Sequence, residues 1–189
     1  MNCPSEQRRT ISTKFCARLF SLALVCSSVV AQRTVKKTII AEYREDGTNF
    51  QPLVSLSPAV LRVLVQQPQM AYLRDTKEPH PENFFKATAI QLNPANTEEV
   101  DLLVKGDKTP VTGADNDWFW IVTHAEGKPR VVLYTNGLSV AIFAKVHNGL
   151  RDVQSSWNSP NEFIEKSYRY DGKRYLLVGT KDGPFNPGL

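Results

Sequence analysis

The stretch that decides the fold is residues 118–149, WFWIVTHAEGKPRVVLYTNGLSVAIFAKVHNG. Apolar and β-branched residues dominate it, and the pairs Glu126-Gly127, Asn136-Gly137 and Asn148-Gly149 interrupt it at intervals of 10 to 12 residues. Such spacing is typical of short β-strands joined by tight turns, because glycine and asparagine tolerate a positive φ. The pattern therefore predicts an antiparallel meander through the second half of the chain.

The pair Asn136-Gly137 is the strongest hairpin signal in this stretch, since Asn-Gly suits a two-residue turn. We expect the segments 130–135 and 138–143 to be neighbouring strands joined by that turn. The pairs expected across this hairpin are Thr135 with Leu138, Leu133 with Val140 and Val131 with Ile142.

The pair Asp171-Gly172 predicts a last hairpin, in which Tyr168 faces Tyr175 and Arg169 lies opposite Arg174. Apolar runs predict further strands outside the 118–149 stretch. They lie at residues 35–43, 86–92, 100–105 and 152–157.

One segment has strong helix signals. Ser57 is a good N-cap, Pro58 suits the first helical position, and Leu56 with Leu61 can form a hydrophobic staple. The segment is apolar nearly all round and ends before Pro68, which predicts a buried helix at residues 57–67. The expected fold class is α+β: an antiparallel β meander of about seven to nine strands with one main helix packed on the sheet.

Residues 1–31 have the composition of a secretory signal peptide. Four basic residues precede an apolar stretch at 19–30, and Ala31 offers a small residue at the cleavage site. The expected location is periplasmic or extracellular after cleavage, with residues 32–189 as a single exported domain. The alternative is a lipoprotein with Cys26 lipidated, although Ala23-Leu24-Val25 departs from the usual lipobox.

Cleavage would change both charge and thiol content. The full chain has 23 Lys+Arg and 19 Asp+Glu, for a net charge of +4, whereas residues 32–189 have 19 basic and 18 acidic residues. No basic stripe remains, so we expect no nucleic-acid partner. The apolar stretch is shorter than the roughly 20 residues needed to span a bilayer, so we expect no stable membrane insertion after cleavage. All three cysteines lie within residues 1–31, so cleavage would remove them. The exported domain would then have neither a thiol nucleophile nor a cysteine zinc site.

The usual catalytic motifs are missing from the sequence. We find no Gly-x-Ser-x-Gly elbow, phosphate loop or dinucleotide fingerprint. His80, His124 and His147 are too far apart to suggest a metal site. We therefore expect no catalytic residues, no cofactor and no metal. The alternative is an exported hydrolase whose site is assembled from distant residues, such as His124 with an Asp or Glu.

Aromatic residues are the best functional lead. Tryptophan, tyrosine and arginine are enriched where proteins grip partners, and aromatic rings also stack on flat ligand faces. We expect a binding or inhibitor-like module that recognises a protein or glycan partner. The candidate binding residues are Trp118, Trp120, Arg151, Tyr168 and Tyr170.

Three short segments, at residues 89–104, 147–153 and 168–175, together resemble small exported bacterial proteins with degenerate FG-GAP/VCBS-like repeats. The shared features are an Asn-Gly-x-Arg-Asp turn and a Tyr-Arg-Tyr-Asp-Gly ending. The resemblance implies a compact, non-enzymatic domain and supplies no catalytic residues. It leaves open a degenerate calcium-stabilised structural domain. Gln91 and Ala95 stand where calcium ligands would be expected, and the remaining oxygen donors are Asn93, Glu98 or Glu99, and Asp101.

Overall fold

The computed structural model describes residues 37–96, 98–107 and 117–184. The expected signal peptide at 1–31, with its lipoprotein alternative at Cys26, lies outside these ranges. No helix within them is long and apolar enough to cross a membrane.

The described ranges form nine β-strands, arranged as two antiparallel sheets. One sheet has four strands in the order β2-β3-β4-β5, and the other has five in the order β1-β6-β7-β8-β9. The prediction of an antiparallel sheet protein of seven to nine strands is confirmed, but the strands divide into two sheets. The bounds are β1 Ile39–Arg44, β2 Phe85–Ile90, β3 Asp101–Gly106, β4 Asp117–Ala125, β5 Lys128–Gly137, β6 Ser139–His147, β7 Leu150–Asn158, β8 Glu162–Tyr170 and β9 Tyr175–Pro184.

Helical structure within the described ranges consists of two short α-helices, α1 (Pro58–Val65) and α2 (Ala71–Asp75), and two 3-10 helices, at Pro68–Met70 and Pro81–Phe84. Ser57 caps α1 as expected, because its side chain accepts a hydrogen bond of 3.3 Å from the backbone N–H of Val60. With helices of only eight and five residues, the predicted single main helix at 57–67 is not confirmed.

Two hydrophobic clusters hold these elements together. The larger draws side chains from both sheets, including Leu103 and Phe119 of the four-stranded sheet and Ile142 and Val153 of the five-stranded sheet. Phe119 therefore faces away from Trp120, which belongs to the other cluster. That second cluster, which we call the helix-side cluster, combines one face of the four-stranded sheet with buried residues of the helical segments. Its members are Val60, Leu64, Met70, Leu73, Phe85, Ala87, Leu102, Val104, Trp120 and Val122.

The predicted hairpin at Asn136-Gly137 is wrong, because β5 and β6 belong to different sheets. Neither residue has a positive φ, so no hairpin turn forms there. Instead the chain crosses from one sheet to the other, and Leu138 donates a backbone hydrogen bond of 2.7 Å to Ser156. A Cβ on Gly137 would lie 2.4 Å from the carbonyl oxygen of Ser156. The glycine thus permits a close approach of two backbone segments, which is a reason for glycine in a strand other than turn formation. The expected pairs Thr135–Leu138, Leu133–Val140 and Val131–Ile142 do not form.

The last hairpin exists, but its register differs from the expected one. Its loop takes four residues, 171–174, so that Tyr170 pairs with Tyr175. The side chain of Asp171 sets this loop length by accepting hydrogen bonds of 2.7 Å from the backbone N–H groups of Lys173 and Arg174. The expected pairs Tyr168–Tyr175 and Arg169–Arg174 are therefore replaced by Tyr168–Leu177 and Arg169–Leu176.

The other two glycine turns form as predicted. Glu126 and Gly127 have φ values of 53° and 72°, and Asn148 and Gly149 have values of 48° and 91°. Two consecutive positive φ angles are the signature of a type I′ turn, whose twist matches that of the flanking strands. These turns join β4 to β5 and β6 to β7.

Candidate functional site

Polar side chains from both sheets line a pocket at one end of the strands. We call this pocket the end pocket. Its volume is about 330 Å³. Four connecting segments surround it: β2–β3, β4–β5, β6–β7 and β8–β9. Loops held by a rigid sheet scaffold are the usual position for binding residues. The pocket is lined by Asn93, Glu99, Asp101, Thr123, His124, Ala125, Arg130, Asn148, Gly149, Leu150, Tyr170 and Gly172.

The acidic side of the end pocket is formed by Asp101 and Glu99. Asp101 is buried at the first position of β3, and its carboxylate accepts a hydrogen bond of 3.2 Å from the backbone N–H of Leu92. Burial raises the pKa of Asp101 above 3.8, whereas backbone hydrogen bonds and the nearby His124 oppose this rise. The carboxylate thus braces the β2–β3 connection and also gives the pocket an acceptor.

The basic side is formed by Arg130, at the beginning of β5. Its guanidinium donates a hydrogen bond of 2.9 Å to the hydroxyl of Tyr170, which in turn donates one of 3.0 Å to the carbonyl of Gly172. The Nε of Arg130 is buried and has no hydrogen-bond partner among the described residues. No carboxylate in those ranges lies within 4 Å of this guanidinium. Arg130 can therefore offer hydrogen-bond donors to a ligand.

Hydrogen bonds between segments hold the rim of the pocket. The side chain of Asn148 donates to the carbonyl of Tyr170 at 2.9 Å, which ties the β6–β7 turn to β8. The backbone N–H of Arg151 donates to the carbonyl of Leu92 at 3.0 Å, which ties the five-stranded sheet to the β2–β3 connection. The hydroxyl of Tyr175 donates to the carbonyl of Arg151 at 2.7 Å. Burial, reinforced by Asp101 and Asp152, raises the pKa of that hydroxyl, so Tyr175 stays a neutral donor.

The five residues predicted to bind a partner are not brought together. Trp120 is buried in the helix-side cluster, and Trp118 packs edge-on against it with ring centroids 6.2 Å apart. Tyr168 is buried between the sheets, where its hydroxyl lies 2.9 Å from the hydroxyl of Thr135. Tyr170 is also buried, packed against Tyr175 with ring centroids 5.5 Å apart, and it lines the end pocket. Arg151 is half-buried, and its guanidinium donates to the carbonyl of Ala144 at 3.2 Å.

The histidines take different positions. His124 lines the end pocket together with Asp101, but no hydrogen bond joins these two side chains. A close histidine–carboxylate pair occurs instead between His147 and Asp152, at 2.5 Å, with Arg169 at 3.9 Å from the same carboxylate. Among the described ranges, no group of three or more His, Cys, Asp or Glu side chains is placed to hold a metal ion. Gln91, at the first expected calcium position, donates instead to the carbonyls of Asn93 and Asn96.

Sequence reasoning missed the end pocket as a unit, and it missed Arg130 and Asn148 as members. One signal was present. Gly127, Gly149 and Gly172 recur every 22 or 23 residues, which is the length of two strands with their turns. In antiparallel strands alternate turns lie at the same end, so this spacing predicts that the three turns lie at one end of the strands.

The chain was compared with models of protein families, with curated proteins and with solved structures, and none of the three comparisons found a match.

Proposed function

We propose that this chain is a non-catalytic binding module that holds a protein or glycan partner at the end pocket, in the periplasm or outside the cell. One observation carries the proposal: four connecting segments, contributed by both sheets, surround a pocket that combines carboxylates, a guanidinium, amides and a tyrosine hydroxyl. A concave site with a few convergent polar groups is the usual form of a ligand pocket.

The polar groups suit a partner rich in hydroxyl or amide groups. Asp101 and Glu99 can accept hydrogen bonds on one side, and Arg130 can donate them on the other. Tyr170 is largely buried, and its hydroxyl, held by Arg130 and Gly172, adds a fixed polar group that costs little entropy to order. We infer that recognition uses an aromatic residue and an arginine, as expected, and that these are Tyr170 and Arg130.

The test is binding by matched variants. The protein, Arg130→Gln and Tyr170→Phe should be used on a glycan array and in stoichiometric pull-downs from periplasmic extract. Arg62→Gln is the control, because Arg62 is an exposed arginine on α1, away from the pocket residues. Losing charge-assisted hydrogen bonds should weaken binding at least tenfold in Arg130→Gln. A partner that binds all four proteins equally would contradict the proposal.

A hydrolase is the second candidate, because His124 and Asp101 line the same pocket. Its test is a screen of peptidoglycan, peptides and esters, repeated with His124→Ala and with His80→Ala as a control that changes an exposed histidine. Turnover that His124→Ala abolishes, and that His80→Ala leaves unchanged, would favour the hydrolase over the binding module.

A further inference from the structure

A second pocket lies toward the opposite end of β7 and β8, and we call it the Trp157 pocket. Its volume is about 320 Å³, and it is lined by Asn136, Ser155, Trp157, Ile164 and Lys166. None of these residues lines the end pocket. The two pockets are therefore separate sites, and the inference below does not depend on the proposed function.

The Trp157 pocket begins where the core between the sheets ends. A buried hydroxyl network closes the core there: Thr135 lies 2.8 Å from the hydroxyl of Ser155 and 2.9 Å from that of Tyr168. Trp157 is two residues beyond Ser155 and therefore lies on the same face of β7. It pairs with Ile164 of β8, and both side chains are half-buried. The inner face of the five-stranded sheet thus continues past the core as an apolar wall.

Lys166 gives this wall one positive charge. It pairs with Ser155 and shares the face of Trp157 and Ile164. No carboxylate in the described ranges lies within 4 Å of its ammonium group, whereas Lys181, on the opposite face, reaches Glu165 at 3.9 Å. The nearest acidic neighbour by register is Asp182, which pairs with Ile164 on the edge strand and is exposed. A half-buried lysine beside an apolar wall is complementary to an anion with an apolar body.

We propose that the Trp157 pocket binds a small amphipathic carboxylate, such as an aryl-alkanoic acid. Its apolar body would lie against Trp157 and Ile164, and its carboxylate would face Lys166. The volume is at the lower end of the range of about 300–1,000 Å³ for small-molecule sites, which favours a single ring or short acyl chain. Stacking and apolar burial on Trp157 supply affinity, and the ammonium selects the charged head group.

The test is a titration with 4-phenylbutyrate and with its neutral amide, followed by backbone amide NMR shifts. The acid should bind more tightly than the amide and should shift the signals of residues 155–157 and 164–166. Lys166→Gln should weaken binding of the acid about fivefold and leave the amide unchanged. Lys145→Gln is the control, because Lys145 is an exposed lysine on β6 that does not line the pocket.

Two further variants separate the charge effect from the apolar effect. Asp182→Asn should tighten binding of the acid alone, because it removes a like charge from the same face. Trp157→Ala should weaken the binding of both ligands, and a thermal melt checks that this variant folds. If it does not fold, Lys166→Gln still tests the charge effect, because Lys166 is only half-buried. The proposal is overturned when neither ligand binds, when acid and amide bind equally, or when Lys166→Gln behaves as Lys145→Gln does.

Discussion

The close approach at Gly137 yields the sharpest stability prediction. Replacing this glycine by alanine would place a Cβ 2.4 Å from the carbonyl oxygen of Ser156 and 3.1 Å from its carbonyl carbon. Both atoms belong to backbone, so no flexible side chain can move away. Ordinary contacts of a Cβ begin near 3.4 Å, and the two strands would therefore have to separate by about 1 Å.

The magnitude follows from three contributions. Forcing extra volume into a packed site costs about 1–3 kcal/mol. The same carbonyl of Ser156 accepts the 2.7 Å hydrogen bond from Leu138, and disturbing it costs about 1–2 kcal/mol more. Alanine recovers about 0.5–1 kcal/mol, because glycine loses more conformational freedom on folding. We expect Gly137→Ala to lower the free energy of unfolding by about 3 kcal/mol, which corresponds to a fall in Tm of about 6–12 °C.

The assay is urea denaturation followed by tryptophan fluorescence, with Gly179→Ala as the matched control. Gly179 also lies in a strand, but a Cβ there would have nothing within 4 Å and its φ is not in the left-handed region. Gly179→Ala should be neutral or stabilising by about 0.5 kcal/mol. If Gly137→Ala proves as stable as Gly179→Ala, then the sheet crossing does not need a glycine and the reasoning fails.

Three further predictions concern single side chains. Burial raises the folded pKa of Asp101 above 3.8, so its contribution is fully present below that pH and is lost as the pH rises through the folded pKa. The stability of the protein relative to Asp101→Asn should therefore fall as the pH rises above 3.8 in denaturant titrations. Hydrogen bonds from the backbone lower the pKa of Asp171, so its pH dependence is opposite to that of Asp101. Asp171→Ala should be less stable than the unmodified protein at neutral pH, and this difference in the free energy of unfolding should shrink as the pH falls below 3.8. A difference that stays constant with pH would contradict the prediction. Loss of the α1 cap in Ser57→Ala should cost about 1 kcal/mol, with Ser55→Ala, an exposed serine outside the helix, as the control that should not change.

Local chemistry predicted the strands and most of their turns, because these depend on neighbouring residues. Apolar runs located strands in both sheets, and positive φ angles at Asn148 and Gly149 form the expected turn. The division into two sheets could not be predicted in the same way. Asn136-Gly137 has the same two residue types as Asn148-Gly149, yet its glycine is needed to approach Ser156, nineteen residues away in sequence. The two Asn-Gly pairs are identical in sequence, and only the tertiary contact with Ser156 distinguishes the sheet crossing from the hairpin turn.

The same division explains why the candidate site was only partly foreseen. A single meander would leave the candidate aromatic residues on exposed sheet faces, where a partner could reach them. Two sheets and a helix-side cluster instead bury Trp120 and Tyr168, because each face of the four-stranded sheet is covered. Tyr170 is buried as well, but it ends β8 and lines the end pocket. Burial by a distant element therefore encloses the candidate residues at mid-strand positions, and the proposed binding site lies at the strand ends, where Arg130 and Tyr170 meet.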